Sequence, residues 1–233
     1  MQPDASSRPE TLPARALRGV TLGLAVIGAV IFLSAGSLSF WQGWLYLLIV
    51  GTGGSAMTFY FLKRSPELLT SRLDGGPSTE RRASQKVAMT LLGLLLSGVI
   101  VLPGLDHRFR WSSAHWSLAL GGELIVILAG LIMFLTFRAN AFASATIEVL
   151  GGQTVISTGP YACVRHPMYS GLQLYCLATP LALGSWWGLV PAALVGPVLA
   201  LRLLDEERLL LTDLAGYDAY RRKVRWRLAP LIW

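Results

Sequence analysis

The residues best suited to chemistry lie in one short stretch, GPYACVRHPMYSG, at positions 159–171. It places the cation Arg165 and the imidazole of His166 among tyrosines and prolines, and an apolar region follows directly. Pro167 suits the first turn of a helix, because its missing N–H would have no partner there. The residue before a proline avoids the α conformation, so His166 is expected at the N-cap position. Free N–H groups at a helix start favour anions, which predicts a site for a carboxylate or a phosphate.

Three acidic residues, DEE at 205–207, follow the far end of the same apolar region. If that region folds back as a helical hairpin, Glu206 returns to the side on which His166 lies. Successive helical residues point about 100° apart, so at most two of the three carboxylates face a common site. Two simpler interpretations stay open. Glu206 could pair with Arg202 on its own helix, and the polar residues of 159–171 could anchor the chain at an interface.

Several other kinds of site are not indicated. Cys163 lies in a polar loop and Cys176 in an apolar run, so both are expected to be free thiols. Neither Cys nor His residues have metal-ligand spacing, and no metal site is predicted. There is no GxGxxG motif that opens a βαβ unit, which argues against a soluble Rossmann domain.

The composition is that of an integral membrane protein. The 233 residues are 53% hydrophobic and 14% charged, with a mean hydropathy of +0.53, whereas soluble domains are about one quarter charged. We therefore expect an all-α fold with about six transmembrane helices behind a flexible segment, 1–16. Apolar runs long enough to span a bilayer define four helices, at Leu17–Ala35, Trp44–Leu62, Val87–Leu105 and Trp116–Phe137.

The fifth apolar region is too long for one helix and is interrupted by PLALGSWWG at 180–188. It predicts a tight hairpin with arms at Met168–Leu183 and Trp186–Leu204. The first arm would be only about 24 Å long, so five spans with a re-entrant pair is the alternative to six.

The charges predict the orientation of these helices. If both termini are cytoplasmic, every Lys and Arg except Arg108 and Arg110 lies on the inner side, as the positive-inside rule requires. The net charge of +7 then reflects topology and attraction to anionic lipid headgroups, and no nucleic-acid partner is indicated. The cytoplasmic membrane of a bacterium is the expected location.

The motifs GQTVISTGPYACVRHPMYSG, DEERLL, GYDAYRRKV and RWRLAP, taken in order, resemble the isoprenylcysteine carboxyl methyltransferase family. The resemblance extends to the related membrane phospholipid and thiol methyltransferases. It covers roughly residues 138–231, so we expect four hydrophobic spans in 17–137 and a methyltransferase-like catalytic region in 138–233. It implies S-adenosyl-L-methionine as cofactor, held in a cytosolic pocket above the membrane, and a lipophilic acceptor that enters from the bilayer.

The resemblance also implies roles for individual residues. By resemblance, the residues that contact the cofactor are Gln153, His166, Tyr169, and Glu206 or Glu207. Beside them, Pro167 begins the helix, and the aromatic rings of Tyr161 and Tyr169 could favour the sulfonium by cation–π contact. Arg227 matches an arginine that the family places beside the methyl acceptor. Glu207 and Arg165 are further candidates for the catalytic site, and Asn140 for contact with the acceptor. Arg165, His166 and the helix start at Pro167 would together hold the cofactor's carboxylate, and the paired tyrosines Tyr217 and Tyr220 would pack.

The acceptor itself is not specified by the sequence. An isoprenylcysteine carboxylate or a similar carboxylate, a thiol and a lipid amine all remain open, as does the oligomeric state. Two other classes are the alternatives. Membrane sterol reductases that use NADPH have a similar RHPNY motif, although Met168 replaces its Asn here. A transporter or scaffold is less favoured, because Glu123 is the one ionisable residue at membrane depth.

Overall fold

The computed structural model describes residues 11–74, 83–140 and 154–233, and these residues are helical with no strand among them. They form eight α-helices and one short 3₁₀ helix at Gly159–Ala162. The α-helices are α1 (Leu12–Ala35), α2 (Trp41–Arg64), α3 (Pro66–Leu73), α4 (Ala83–Phe109), α5 (Trp116–Ala139), α6 (Pro167–Ala182), α7 (Leu189–Asp213) and α8 (Tyr217–Lys223). The expected all-α membrane fold is confirmed.

Within the described ranges, four helices are long and apolar enough to cross a membrane, and they are the four spans predicted from the sequence. They comprise α1, α2, α5 and the part of α4 from Gln85 to Phe109. α1 begins at Leu12, inside the segment that was expected to be flexible. The reason is local, since Pro13 occupies the first turn of the helix and Arg15 forms an ion pair with Asp74 beyond α3.

The fifth apolar region folds as two helices, as the interruption at 180–188 indicated. The turn between α6 and α7 contains Gly184 in the left-handed conformation, with φ of 71°. α6 has 16 residues and falls short of the length required of the four spans, whereas α7 has 25 and continues past the acidic residues to Asp213. Neither α6 nor α7 is among the four helices that are long and apolar enough to cross a membrane.

Close packing against α5 and α4 fixes the position of this hairpin. Gly122 of α5 lies so near the backbone of Ala182 that an added Cβ would be 2.3 Å from its amide nitrogen. At the turn, Asp106 at the end of α4 accepts hydrogen bonds from the hydroxyl groups of Ser112 and Ser185. The hairpin is therefore held at both its first arm and its turn, which leaves its open end to form the polar site.

Candidate functional site

The open end of the hairpin brings together three segments that are distant in the sequence. They are the start of α6, the acidic turn of α7, and the tail segment, which we define as residues 224–233. The amide groups of Arg165 and His166 donate to the carbonyl groups of Trp226 and Arg227, at 2.8 and 3.0 Å. The Ser170 hydroxyl donates to a third tail carbonyl, that of Leu228. The tail segment is thus bound along the entrance of α6 through its main-chain carbonyl groups.

Glu207 is the centre of a buried ionic cluster. Its Oε1 accepts from Arg165 Nε at 2.7 Å and lies 3.3 Å from His166 Nε2, and its Oε2 accepts from Arg227 Nε at 2.9 Å. Burial alone would raise the pKa of this carboxyl, but the hydrogen bonds from His166, Arg227 and Arg165 outweigh it and lower the pKa to about 2. Glu207 is therefore ionised at any physiological pH, and both of its oxygens have partners within the protein.

Arg165 is equally committed to the protein. Besides Glu207, its guanidinium donates to the carbonyl groups of Val224 and Arg225, at 3.1 and 3.0 Å, and its side chain is buried. These contacts position the tail segment against α7. Arg227 differs, because 29% of its side chain is exposed and its guanidinium lies over the ring of Trp233 at 5.0 Å.

Glu206 lies on the neighbouring face of α7 and remains accessible, with 27% of its side chain exposed. Its Oε2 accepts from the Tyr169 hydroxyl at 2.8 Å, and its Oε1 is 4.0 Å from His166 Nδ1. The His166 and Tyr169 rings stack at 5.9 Å. Glu206, unlike Glu207, therefore retains an oxygen directed to the imidazole side and open to a ligand.

A network behind Tyr169 reaches α4. Arg202 donates to the Tyr169 hydroxyl at 3.2 Å and to Gln85 Oε1 at 3.1 Å, and Gln85 donates in turn to Asp205 at 2.7 Å. The contact between Arg202 and the phenol fixes Tyr169 in its position under Glu206. Neither Arg202 as a support for Tyr169 nor Gln85 was predicted, because no motif includes them.

Tyr161 and Asn140 meet at the edge of the site. Asn140 Nδ2 donates to the Tyr161 hydroxyl at 3.0 Å, and the Tyr161 carbonyl accepts from the Tyr220 hydroxyl at 2.8 Å. Burial raises the pKa of Tyr161, so its hydroxyl stays protonated. Tyr220 and Tyr217 are buried in a cluster with Leu214 and Val224, which agrees with the packing role implied for them.

A further cation approaches the site from α3. Arg72 donates to the sulfur of Met168 at 3.2 Å, and its guanidinium lies over the ring of Phe137 at 4.4 Å. Sequence reasoning missed this residue, because α3 is separated from every motif by two membrane spans, α4 and α5, and carries no motif of its own. Its distance from the motifs leaves no sequence signal that could have identified it.

The remaining predictions concern Gln153, cysteines and metals. Gln153 lies outside the described residues. Both cysteines are free, as predicted, with Cys163 exposed and Cys176 buried. Within residues 11–74, 83–140 and 154–233, no three His, Cys, Asp or Glu side chains gather as metal ligands would.

Comparison with known proteins yields a family match that covers α5 to α7 and leaves out the tail segment. Residues 116–214 match the model of the phospholipid methyltransferase family, so the match runs from the start of α5 through the acidic turn of α7. No curated protein matches the chain at a significant level. Residues 116–214 are thus similar to the phospholipid methyltransferase family, which agrees with the resemblance to membrane methyltransferases that the motifs of 138–231 indicated.

Proposed function

We propose that this protein is an S-adenosyl-L-methionine-dependent methyltransferase that acts on a lipophilic acceptor at the membrane surface. The observation that carries the proposal is the position of the polar site. Inside the matched region, Glu206, His166 and Tyr169 gather at the open end of an apolar hairpin. A charged cofactor can reach that point from water, and an apolar acceptor can reach it from the bilayer.

The residues present fit the cofactor. Glu206 offers a partly exposed carboxylate to the ammonium group or the ribose hydroxyls, and the phenols of Tyr161 and Tyr169 offer aromatic faces that favour a sulfonium. His166 at the start of α6 makes no side-chain capping hydrogen bond. Its Nε2 is held by Glu207, and its Nδ1, on the side of Glu206, is the atom that can contact a ligand. When bound, the cofactor supplies an electrophilic methyl group.

The protein's own part in such a transfer is alignment and the exclusion of water. Glu207 holds Arg165, His166 and Arg227 in fixed positions, and Arg202 fixes Tyr169. Arg227 keeps an exposed part with which to orient an anionic acceptor, and Asn140 beside Tyr161 is the second candidate for acceptor contact.

Three acceptor classes are consistent with this site. The family match favours a lipid amine, since its name refers to phospholipids, whereas the partly exposed Arg227 favours a carboxylate such as that of isoprenylcysteine. A lipophilic thiol is the third. Anionic headgroups would attract the basic inner surface of the protein, which includes the exposed arginines of α8.

The first test is binding and turnover by the purified chain in lipid nanodiscs. Calorimetry should show binding of S-adenosylmethionine and none of NADPH, which serves as the control for the reductase alternative. Transfer of a labelled methyl group to phosphatidylethanolamine, to an S-farnesylcysteine derivative and to an alkyl thiol then identifies the acceptor. Binding of NADPH alone would replace the proposal by a reductase.

Arg227→Ala separates the cofactor from the acceptor. We expect cofactor affinity to stay within about threefold of the unchanged protein, and turnover on a carboxylate acceptor to fall by about 10- to 100-fold. Arg222→Gln, which alters an exposed arginine of α8 outside the site, is the matched control. Full turnover by Arg227→Ala would show that Arg227 only anchors the tail segment.

A further inference from the structure

Arg72 is a cation at the site that has no anionic partner among the described residues. It lies in the last turn of α3, outside the matched region, and its guanidinium contacts Met168 next to Tyr169. Among the described residues no carboxylate lies within ion-pair distance of it, and its Nε is buried without a hydrogen-bond partner. Its guanidinium contacts the Met168 sulfur and the Phe137 ring.

This arrangement has an electrostatic cost. Burial lowers the pKa of Arg72 to about 10, although the phenols of Tyr161 and Tyr169 and the carboxylate of Glu206 act in the opposite direction. The same groups show that Arg72 belongs electrostatically to the site. A buried charge is normally paired with an opposite charge, so an unpaired guanidinium here points to an anion supplied by a ligand.

Glu206 is the opposite charge in the same region, and it too lacks a cationic partner of the Lys or Arg type among the described residues. Its neighbour Glu207, by contrast, has two arginines on its two oxygens. Tyr169 holds Glu206, while Phe137 and Met168 hold Arg72, so each keeps its place without pairing with the other. Two separated, opposite charges match the ammonium and carboxylate groups of an α-amino acid.

Building on the proposed function, we propose that Arg72 binds the α-carboxylate of the cofactor's amino-acid end while Glu206 receives its ammonium group. This assigns the carboxylate to Arg72 in place of Arg165, whose guanidinium is already committed to Glu207 and to two tail carbonyl groups. It also makes α3 part of the cofactor site, although α3 lies outside residues 116–214.

The test compares S-adenosylhomocysteine with its decarboxylated analogue, which keeps the amine and lacks the carboxylate. Calorimetry on the full chain in nanodiscs should show that the unchanged protein binds S-adenosylhomocysteine about 10- to 100-fold more tightly than the analogue. In Arg72→Gln this preference should disappear, because only the carboxylated ligand loses a contact. Arg72→Lys should keep part of the preference, and Arg222→Gln should keep all of it.

The outcomes separate this inference from the proposed function. If the unchanged protein binds neither ligand, the proposed function itself fails. If it binds both with equal affinity, or if Arg72→Gln retains the full preference, Arg72 does not hold the carboxylate. If Arg72→Gln keeps the preference and raises only the KM of the acceptor, the anion on Arg72 belongs to the acceptor and the inference is wrong. If Arg72→Gln fails to fold, two measurements still test the inference. One is the ligand preference of the unchanged protein, and the other is the ligand preference of Arg72→Lys.

Discussion

Two adjacent glutamates have different surroundings, and this difference decides what each can do. Glu207 is buried and has three basic groups on its two oxygens, whereas Glu206 is partly exposed and contacts Tyr169 and His166. A carboxylate that is saturated by internal partners stabilises the fold, and one with an open oxygen can bind a ligand. Glu207 therefore positions the tail segment, and Glu206 is the better candidate for cofactor contact.

Substituting each glutamate by Gln should give opposite results. Glu207→Gln leaves Arg165 buried without its counter-ion, so we expect a loss of about 3–5 kcal/mol in the free energy of unfolding and a lower thermal midpoint in detergent. Glu206→Gln should leave the thermal midpoint almost unchanged and weaken S-adenosylhomocysteine binding by at least about tenfold. Differential scanning fluorimetry with and without the ligand measures both effects. Unchanged stability in Glu207→Gln would contradict the role of the buried cluster.

How far the site could be predicted depends on the residue. The proximity of His166 to Glu206 could be predicted, because their motifs flank a hairpin, which returns the chain to its starting side. The sequence could not show which of Glu206 and Glu207 remains accessible, since this depends on how far α7 is rotated against α6. Arg72 could not be found at all, because its place is set by tertiary packing against Phe137 and Met168.

At the scale of elements, the contact between α5 and α6 determines where the mouth of the hairpin lies. Gly122 permits the backbones to approach closely, and Gly171 of α6 faces α5 in turn, with an added Cβ 2.8 Å from Met133 Cγ. Small residues at such crossings favour tight helix packing in membranes. The hydrophobic runs predicted the helices, but they gave no information on which faces meet.

Gly122→Ala should destabilise the protein, because the added methyl group would collide with main-chain atoms of Ala182 that cannot move aside. We expect a loss of about 1–3 kcal/mol and lower cofactor affinity as α6 shifts. The adjacent Gly121 faces open space, so Gly121→Ala should be neutral or slightly stabilising through its better helix propensity. Thermal unfolding of the two variants, side by side, provides the comparison. Equal midpoints would show that α5 and α6 adjust without strain.

For the whole molecule, the positive-inside rule predicts that the site faces the cytoplasm. The two ends of the α6–α7 hairpin differ in character. Asp106 and the exposed Trp186 and Trp187 lie at its turn, whereas the tail segment lies with the polar site at its open end. The four spans were predictable because length and hydropathy identify a membrane helix without any knowledge of its neighbours.

Cysteine labelling tests this orientation. Cys163 is exposed beside the site, so a membrane-impermeant maleimide should modify it in inverted vesicles and not in intact cells. Cys176 is buried and serves as an internal negative control. Ser113→Cys, in the exposed segment between α4 and α5, should give the reverse pattern. Labelling of Cys163 from outside intact cells would show that the orientation is the reverse of the predicted one.

The binding of the tail segment along the entrance of α6 also has a consequence for biosynthesis. Residues 224–228 supply carbonyl groups to Arg165, His166 and Ser170, and the ribosome makes them after every helix described above. The membrane helices can insert while translation continues, but the polar site is not complete until this segment has emerged. If the proposed function holds, a nascent chain arrested before Val224 would be embedded in the bilayer yet unable to bind the cofactor, so activity would arise only once this region has been synthesised.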